Sequence, residues 1–384
     1  MEYPIDICED GMMNSSAASW NSTNGTLIDS FYYLPWEWIP AYTIKPIILV
    51  IGILCNFTFL LVCIRVPYMQ TVSNIFLINL ALVDILYLVV SVGYSFDSFT
   101  TNIRQDTGSF GVTGCFITYF AFWFCYFATM LLLTLASFEQ FMAVCYQGVH
   151  DVLLNARRKA TVFTVIVSGV AAATAAVFLL LFSPHQIHCI FAADHGHQNI
   201  VNGINGTTST TLPMPMLRKM DLCHLDNAHL DEVIRIVRPS FWAGATLACL
   251  FMYIVIYIIF VRRDKAVEEN TNSDVDNYRN PVVFMLFISS IVTLVMWALP
   301  IAHDIISILA AYDCMRPLSK EGSITMATVV SCLTLLTSAL KPIVYSATHW
   351  RYREAYGQVF EMFSFGGKFK RSSSMRGGLS SVRK

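Results

Sequence analysis

Residues 73–96 of the chain read SNIFLINLALVDILYLVVSVGYSF, an apolar run in which Asp84 is the single charged residue. A helix needs about 20 mostly apolar residues to cross the hydrocarbon core of a bilayer. The run is longer than this, so it predicts a membrane-spanning helix. Together with six other apolar runs it predicts an all-α membrane protein, with a seven-helix transmembrane domain over residues 43–347. The six other runs lie at Thr43–Ile64, Val112–Cys145, Ala160–Phe182, Ile236–Val261, Val282–Ala310 and Ile324–Ala347.

The composition excludes several classes of protein. Only 13% of the 384 residues are charged and 55% are hydrophobic, whereas a soluble domain has about 25% charged residues. This balance excludes a disordered chain and disfavours a soluble enzyme. We therefore predict a protein that is not an enzyme and whose environment is the lipid bilayer. The formal net charge of −1 disfavours a nucleic-acid partner.

The distribution of Lys and Arg predicts which end of the chain faces the cytosol. The connections after the first, third and fifth runs and the C-terminal tail hold 16 of these residues, whereas the other connections and the outer ends of the runs hold 8. Cytosolic connections carry the excess of positive charge. We therefore predict a multi-pass protein of the plasma membrane with an extracellular N-terminus.

Sequons for N-glycosylation agree with this orientation, because four of them lie on the predicted extracellular side. A further match at Asn56 lies inside an apolar run and is discarded. The candidate glycosylation sites are Asn14, Asn21 and Asn24 in an N-terminal tail of residues 1–42, and Asn205 in a large, polar second outer loop of residues 183–235.

Several ordered landmarks resemble those of the rhodopsin-like, or class A, G-protein-coupled receptors. Asn56 lies midway along the first run, Leu80–Asp84 matches the second-helix signature, and Cys115 lies where the family has its bridging cysteine. Pro300 interrupts the sixth run, and Thr337–Tyr345 resembles the seventh-helix motif. The resemblance implies a cell-surface receptor that transmits the binding of an extracellular ligand to a heterotrimeric G protein or to arrestin.

Within this family, the stretch Tyr68–Leu77 looks most like the neuropeptide receptors, which implies a peptide ligand. The motifs that act as switches in the family diverge here, notably at Gln140 and Lys341. These departures leave an alternative open, in which the chain is a non-signalling heptahelical protein that acts as a scavenger, scaffold or dimer partner.

The resemblance implies a polar switch in the middle of the bundle, with a sodium ion beside Asp84. Lys341 departs from the family pattern, which has Asn or Asp at this position. Its ammonium could pair with Asp84 and replace the ion, or its side chain could extend to the cytosolic surface. We expect the pairing. The predicted switch residues are Asn56, Asp84, Thr129, Thr337, Ser338, Lys341 and Tyr345.

At the cytosolic end, Glu139, Gln140 and Tyr253 are the predicted transducer face. The family has an acid followed by Arg at the first two positions, and that Arg contacts the G protein. Gln140 carries no charge and cannot form the forked ion pair of an Arg, so we expect an altered switch at this point.

The outer part of the third helix carries Phe122–Phe124 where amine receptors of the family carry an Asp, so we do not expect an amine ligand. The family has a Trp two residues before the proline of the sixth helix, whereas Trp297 lies three residues before Pro300. One residue turns a helix by about 100°, so the shift changes the direction in which the Trp297 ring is expected to point. The predicted ligand pocket is aromatic and consists of Phe122, Trp123, Tyr126, Trp242, Trp297 and His303.

The resemblance also implies that Cys115 forms a disulfide with a cysteine of the second outer loop. Of the two candidates we favour Cys223, which has a comfortable reach to the fifth run, over Cys189, which lies only a few residues beyond the fourth. The histidines of the loop, such as His185 and His188, could bind zinc, but we interpret them as part of a solvated loop. We predict no metal site and no cofactor, since the chain also has no Gly-rich phosphate loop.

The C-terminal region divides into two parts. Residues 348–363 carry apolar side chains at helical spacing, which predicts an amphipathic eighth helix on the inner leaflet. Residues 364–384 form a cytosolic tail. Phosphorylation of this tail is predicted at serines beside basic residues, namely Ser372, Ser373 and Ser374.

Overall fold

The protein is described by a computed structural model that covers residues 35–100, 111–153, 157–181, 186–192, 216–222, 228–268, 279–312 and 319–365. In these residues, seven helices are long and apolar enough to cross a membrane, which confirms the predicted fold class. These helices are α1 (Lys45–Arg65), α2 (Val72–Thr100), α3 (Gly111–Cys145), α5 (Arg157–Leu181), α6 (Ala228–Glu268), α7 (Arg279–Ala311) and α8 (Lys320–Thr348).

Shorter elements connect the spanning helices on both sides of the bundle. On the outer side, a 3-10 turn (Pro35–Glu37) and a π-helical turn (Pro40–Ile44) lead into α1. On the inner side, a second 3-10 turn (Pro67–Met69) joins α1 to α2, and α4 (Gln147–Leu153) follows α3. The described part of the chain ends with α9 (Trp350–Phe365), which corresponds to the expected amphipathic helix but begins two residues later than the predicted range of 348–363.

Two antiparallel strands lie within the segment that the sequence indicated only as a polar loop. Strand β1 (Gln186–Ala192) pairs with β2 (Met216–Leu222), so that Gln186 is opposite Leu222 and Ala192 is opposite Met216. The strand sequences QIHCIFA and MLRKMDL differ from the Thr/Ser/Pro-rich stretch between them, which gave the whole segment its polar character. β-branched and aromatic residues such as those of β1 favour strands.

Helix α6 begins at Ala228, before the apolar run that predicted it. The hydropathy of a segment marks the part that lies in lipid, whereas a helix continues for as long as its backbone bonds are satisfied. The polar residues before Ile236 therefore extend the helix beyond the predicted start of the span without changing the number of spans.

Helix α3 lies at the centre of the bundle and packs against α2, α5, α6 and α7. The helices α1, α2 and α8 form a second group of neighbours, and α7 joins the two groups by packing against α6 and α8. Large apolar side chains on the outer surface, such as Leu247 and Phe251, are exposed. This is the pattern expected where lipid covers the surface of a helix bundle.

Gly52 allows α1 to lie close to both α2 and α8. A Cβ atom at this position would lie 2.6 Å from Leu88 Cδ1 and 3.0 Å from Ala339 Cβ. Leu88 is fully buried and Ala339 almost fully so, so neither side chain has room to move away. The close contact of the three helices therefore depends on a residue without a side chain.

Helix α9 packs its buried face against the inner end of α1. Tyr352, Ala355 and Val359 are buried in a cluster that also contains Phe59 and Tyr345. Phe360, on another face of the helix, is exposed. The helix is therefore amphipathic, and one of its faces is covered by protein.

Candidate signal-transmission site

An ion pair lies in the middle of the bundle between α2 and α8. The Lys341 Nζ atom donates to Asp84 Oδ1 over 2.7 Å, and the side chains are 3% and 2% exposed. Lys341 therefore points into the bundle and does not extend to the cytosolic surface. A buried charge costs several kcal/mol in desolvation, so each of these groups needs the other in order to remain ionised.

Among the other predicted switch residues, Asn56 ties α1 to α8. Asn56 Nδ2 donates to the carbonyl oxygens of Gly52 and Ser338 over 2.9 and 3.0 Å. Thr337 Oγ1 donates to the Leu333 carbonyl oxygen within its own helix. Thr129 and Tyr345 are both buried, and the Tyr345 ring packs against Phe59 with a centroid distance of 5.3 Å.

These residues do not fit the sodium ion that the family resemblance implies. The Lys341 ammonium already contacts the carboxylate that would hold the ion. A second unit charge about 4 Å from the ammonium would be repelled by about 4 kcal/mol at an effective dielectric constant near 20. The positive charge at this position is therefore supplied by the chain itself.

At the cytosolic end of α3, Glu139 is buried and accepts hydrogen bonds from two side chains. Ser73 Oγ on α2 donates to Glu139 Oε2 over 3.0 Å, and Gln140 Nε2 donates to the same oxygen atom. Gln140 Nε2 also lies 3.0 Å from Ser73 Oγ. Gln140 is therefore directed towards α2, and its amide belongs to the network that holds the acid.

His150 is a member of this network that the sequence analysis missed. Its Nε2 atom lies 3.2 Å from Glu139 Oε1, and both side chains are less than 10% exposed. The imidazole comes from α4, a helix of seven residues that carries no apolar run long enough to be noticed. The signal that could have found it is a histidine in the short connection that follows a span with an acid near its cytosolic end.

Tyr253 joins three helices at the same end of the bundle. Its Oη atom lies 3.0 Å from Ser137 Oγ on α3 and 3.2 Å from Ser290 Oγ on α7. All three side chains are buried. Separation of α7 from α3 and α6 at the cytosolic end must therefore break at least one of these hydrogen bonds.

A second ion pair lies in the outer half of the bundle. The guanidinium of Arg238 on α6 donates two hydrogen bonds to the carboxylate of Asp304 on α7. Tyr126 Oη on α3 donates to the Arg238 carbonyl oxygen over 2.7 Å. Arg238 thus connects three helices, although in the sequence it is only one of the eight basic residues on the outer side.

The predicted pocket aromatics pack against one another and against other aromatic rings of the bundle. The Trp297 ring lies inside the bundle, 5.1 Å from the Tyr126 ring between centroids, in spite of its shifted spacing from Pro300. Trp123 stacks towards α5, 4.8 Å from Phe178. Phe122 contacts Tyr87 and Tyr94 of α2 instead. Trp242 is half-buried against the same core as Trp297, and His303 is half-buried beside Asp304.

A cavity of about 290 Å³ lies at the outer end of α1, α2 and α8. Its lining includes Glu37, Lys45, Ser95 and Thr328. None of the predicted pocket residues contributes to it. The sequence analysis missed this site because its residues come from the ends of three apolar runs, where polar side chains are ordinary.

The junction of α8 and α9 contains a buried histidine on the cytosolic side. Burial, and then the charges of Arg351 and Arg353, lower the pKa of His349 below its ordinary value. Its Nδ1 atom accepts a hydrogen bond from the backbone N–H of Arg351 over 3.1 Å, as a neutral imidazole can. Nearby, burial and the charge of Glu354 raise the pKa of Tyr68 to about 12, so that this phenol stays protonated.

Several predicted sites lie wholly or partly outside the described residues. Cys115 is disulfide-bonded, but the favoured partner, Cys223, lies outside them. The same holds for the candidate glycosylation and phosphorylation sites, which are Asn14, Asn21, Asn24, Asn205, Ser372, Ser373 and Ser374.

The sequence matches the 7 transmembrane receptor (rhodopsin family) over residues 55–345. It is similar to human neuromedin-U receptor 2, with 24% identity over 85% of this chain and 72% of the relative. It is also similar to the human motilin receptor, with 27% identity over 44% of this chain and 38% of the relative. Mouse C-C chemokine receptor type 8 is 30% identical over 35% of this chain and 36% of the relative. The seven spans, their landmarks and this match together show that the chain belongs to the rhodopsin family of seven-transmembrane, G-protein-coupled receptors.

Proposed function

We propose that this receptor is activated by a peptide at its outer face and transmits to a heterotrimeric G protein or to arrestin through a self-contained polar switch. Two of the similar proteins, neuromedin-U receptor 2 and the motilin receptor, are named for peptides. The outer third of α3 carries Phe122–Phe124 and offers no carboxylate to an ammonium ligand, which supports a peptide over an amine.

The observation that carries the signalling function is that the divergent switch residues are paired. Lys341 pairs with Asp84, and Gln140 bonds to Glu139 and Ser73. A switch that had decayed would leave buried charges without partners, and such a charge is strongly destabilising. Each divergent residue instead bonds to a polar partner of its own, which favours an altered and working switch over a silent protein.

The resting state is held by contacts at three depths. Arg238–Asp304 ties α6 to α7 outside, Lys341–Asp84 ties α2 to α8 in the middle, and Tyr253 ties α6 to α3 and α7 inside. A ligand that binds better when the outer contact is open would shift the population towards an open cytosolic end. A transducer would enter there, against Glu139 and its neighbours.

The experiment is a comparison of the wild type with Gln140→Arg in cells, after surface display of both has been checked. G-protein dissociation and arrestin recruitment are measured against a broad peptide library. We expect the wild type to respond to a peptide. A response of Gln140→Arg alone would show that the native chain binds its ligand without signalling, and would favour the scavenger, scaffold or dimer-partner function instead.

A second measurement does not depend on the ligand. Asp304→Asn removes the outer ion pair but leaves a side chain of the same shape, so we expect higher basal signalling. Ser307→Ala, one turn further along α7, is the control, since within the described part of the chain its hydroxyl bonds only to its own helix. Equal basal signalling in both variants would contradict the role of the outer contact.

The remaining expectations extend this proposal. We infer that Cys115 pairs with Cys223, that the N-terminal tail of residues 1–42 and the loop of residues 183–235 carry the glycans, and that α9 lies on the inner leaflet. Phosphorylation of the tail of residues 364–384 would add negative charge beside its basic residues and weaken their attraction to anionic lipid.

A further inference from the structure

The cavity between the outer ends of α1, α2 and α8 has a chemistry of its own. Its lining contains one base, Lys45, one acid, Glu37, and the hydroxyls of Ser323, Thr328 and Ser331. We propose that it binds a free carboxylate, and that in the peptide ligand proposed above it receives an unamidated C-terminal residue. The identity of that ligand rests on the proposed function, whereas binding of a carboxylate can be tested without it.

Lys45 is positioned as a donor to a guest. Its Nζ atom donates to Ser95 Oγ over 2.9 Å, and this is the one hydrogen bond that the Lys45 side chain makes among the described residues. An ammonium has three donors, so two remain for a molecule in the cavity. Ser95 Oγ donates in turn to the Ser91 carbonyl oxygen, which leaves its lone pairs for Lys45 and fixes the ammonium at the cavity wall.

Glu37, the acid of the lining, is less available to a cationic guest than Lys45 is to an anionic one. It is only 4% exposed, makes interactions with other residues, and lies close enough to Lys45 for their charges to attract. A cationic guest would have to compete with Lys45 for this acid. An anionic guest meets the two spare donors of Lys45 directly, in charge-assisted hydrogen bonds that are about twice as strong as neutral ones.

The size of the cavity limits the guest to about one residue. Its volume of about 290 Å³ is at the lower limit of the roughly 300–1,000 Å³ typical of small-molecule pockets. The hydroxyls of α8 can bond the second carboxylate oxygen. Apolar lining residues, among them Ala41, Ile324 and Ala327, suit the side chain of a terminal residue.

The test uses N-acetyl-leucine and N-acetyl-leucinamide, which have nearly the same shape and differ in charge. The full chain is purified in detergent, and the thermal unfolding midpoint is followed against probe concentration at pH 7. We expect the acid to raise the midpoint to a plateau and the amide to have no effect. Equal effects of the two probes, or no effect of the acid, would overturn the proposal.

Two variants should change the affinity for the acid in opposite directions. Lys45→Gln removes the ammonium and should weaken binding at least tenfold. Glu37→Gln removes the repelling charge and should tighten binding severalfold. A residue that only supports the fold would not produce this opposite pair of effects, so the same direction of change in both variants would contradict the proposal.

A signalling assay then distinguishes the two possible sources of the carboxylate, which are a peptide C-terminus and a free organic acid. The same peptides are applied to cells as free acids and as C-terminal amides, together with N-acetyl-leucine alone. A response to the free-acid peptides alone supports a peptide terminus, whereas a full response to the small acid overturns that assignment in favour of a free organic acid. Acid-specific stabilisation of the purified chain without any signalling would retain the carboxylate site and contradict the proposed peptide-receptor function.

Discussion

Lys341 places a positive charge in the middle of the bundle. A lysine in the middle of a membrane costs about 2.5–3.5 kcal/mol to insert on experimental scales. Its ammonium lies 2.7 Å from the Asp84 carboxylate, and both side chains are almost fully buried. The attraction within the pair therefore offsets the desolvation cost of both charges, and a charge of either residue would be unfavourable here without the other.

Removal of one partner should be far more harmful than removal of both. Lys341→Met leaves the Asp84 carboxylate buried and unpaired, which should lower the free energy of unfolding by about 3–5 kcal/mol. Lys341→Met combined with Asp84→Asn should recover most of this loss. The measurement is the thermal unfolding midpoint of the detergent-solubilised chain for the wild type, both single variants and the double variant. Additive losses in the double variant would show that the two residues do not interact.

The sequence predicts the contact of an individual side chain where one physical requirement dominates. A lysine in an apolar helix needs an acid, and Asp84 is the single charged residue of its own apolar run, so the pair could be expected. The hydrogen bonds of Gln140 could not be expected in the same way, because a neutral amide can form hydrogen bonds with many kinds of partner. His150 was missed for a related reason, since a histidine in a short polar connection does not by itself show that its imidazole faces an acid of the neighbouring helix.

At the scale of the elements, hydropathy predicts the spans and says little about the segments between them. The seven runs correspond to seven helices, because the bilayer imposes a length and a composition on each span. The pairing of β1 with β2 and the early start of α6 do not follow from hydropathy. Hydropathy also does not predict the outer cavity, because the three helix ends that line it come together only in the folded bundle.

The contact of α1 with α2 and α8 should be sensitive to a single methyl group. Gly52→Ala places a Cβ atom against Leu88 and Ala339, so we expect a loss of about 1–3 kcal/mol from overpacking. Gly93→Ala, also in a helix, is the matched control because nothing lies within 4 Å of its Cβ position. It should be neutral or stabilise by up to about 1 kcal/mol. Equal unfolding midpoints for the two variants would contradict the close packing at Gly52.

The junction of α8 and α9 should lose stability in acid. The pKa of His349 is lower in the folded protein than in the unfolded chain, so the unfolded chain binds the proton more readily. Stability is therefore highest above the ordinary histidine pKa of about 6.5 and falls as the pH drops below it.

His349→Gln tests this assignment by removing the titrating group. The unfolding midpoints of the wild type and the variant are compared between about pH 8 and pH 5. We expect the variant to lose less stability than the wild type over this range. The same acid-side loss in both proteins would exclude His349 as its source.

At the scale of the whole molecule, the receptor carries its own cation in the middle of the bundle. The polar contacts at three depths, Arg238–Asp304, Lys341–Asp84 and Tyr253 with its two serines, each use groups supplied by the chain. The family resemblance implies a sodium ion at the middle level, and Lys341 occupies the position of its charge. The resting state should therefore be stable without sodium.

The most direct measurement of this claim is the thermal unfolding midpoint of the purified chain in sodium chloride and in choline chloride at the same ionic strength. We expect no difference for the wild type. We expect Lys341→Asn, which removes the ammonium and restores a residue typical of the family, to be selectively stabilised by sodium, and Asp84→Asn in that background to abolish the effect. A sodium dependence of the wild type that Asp84→Asn removes would contradict the account.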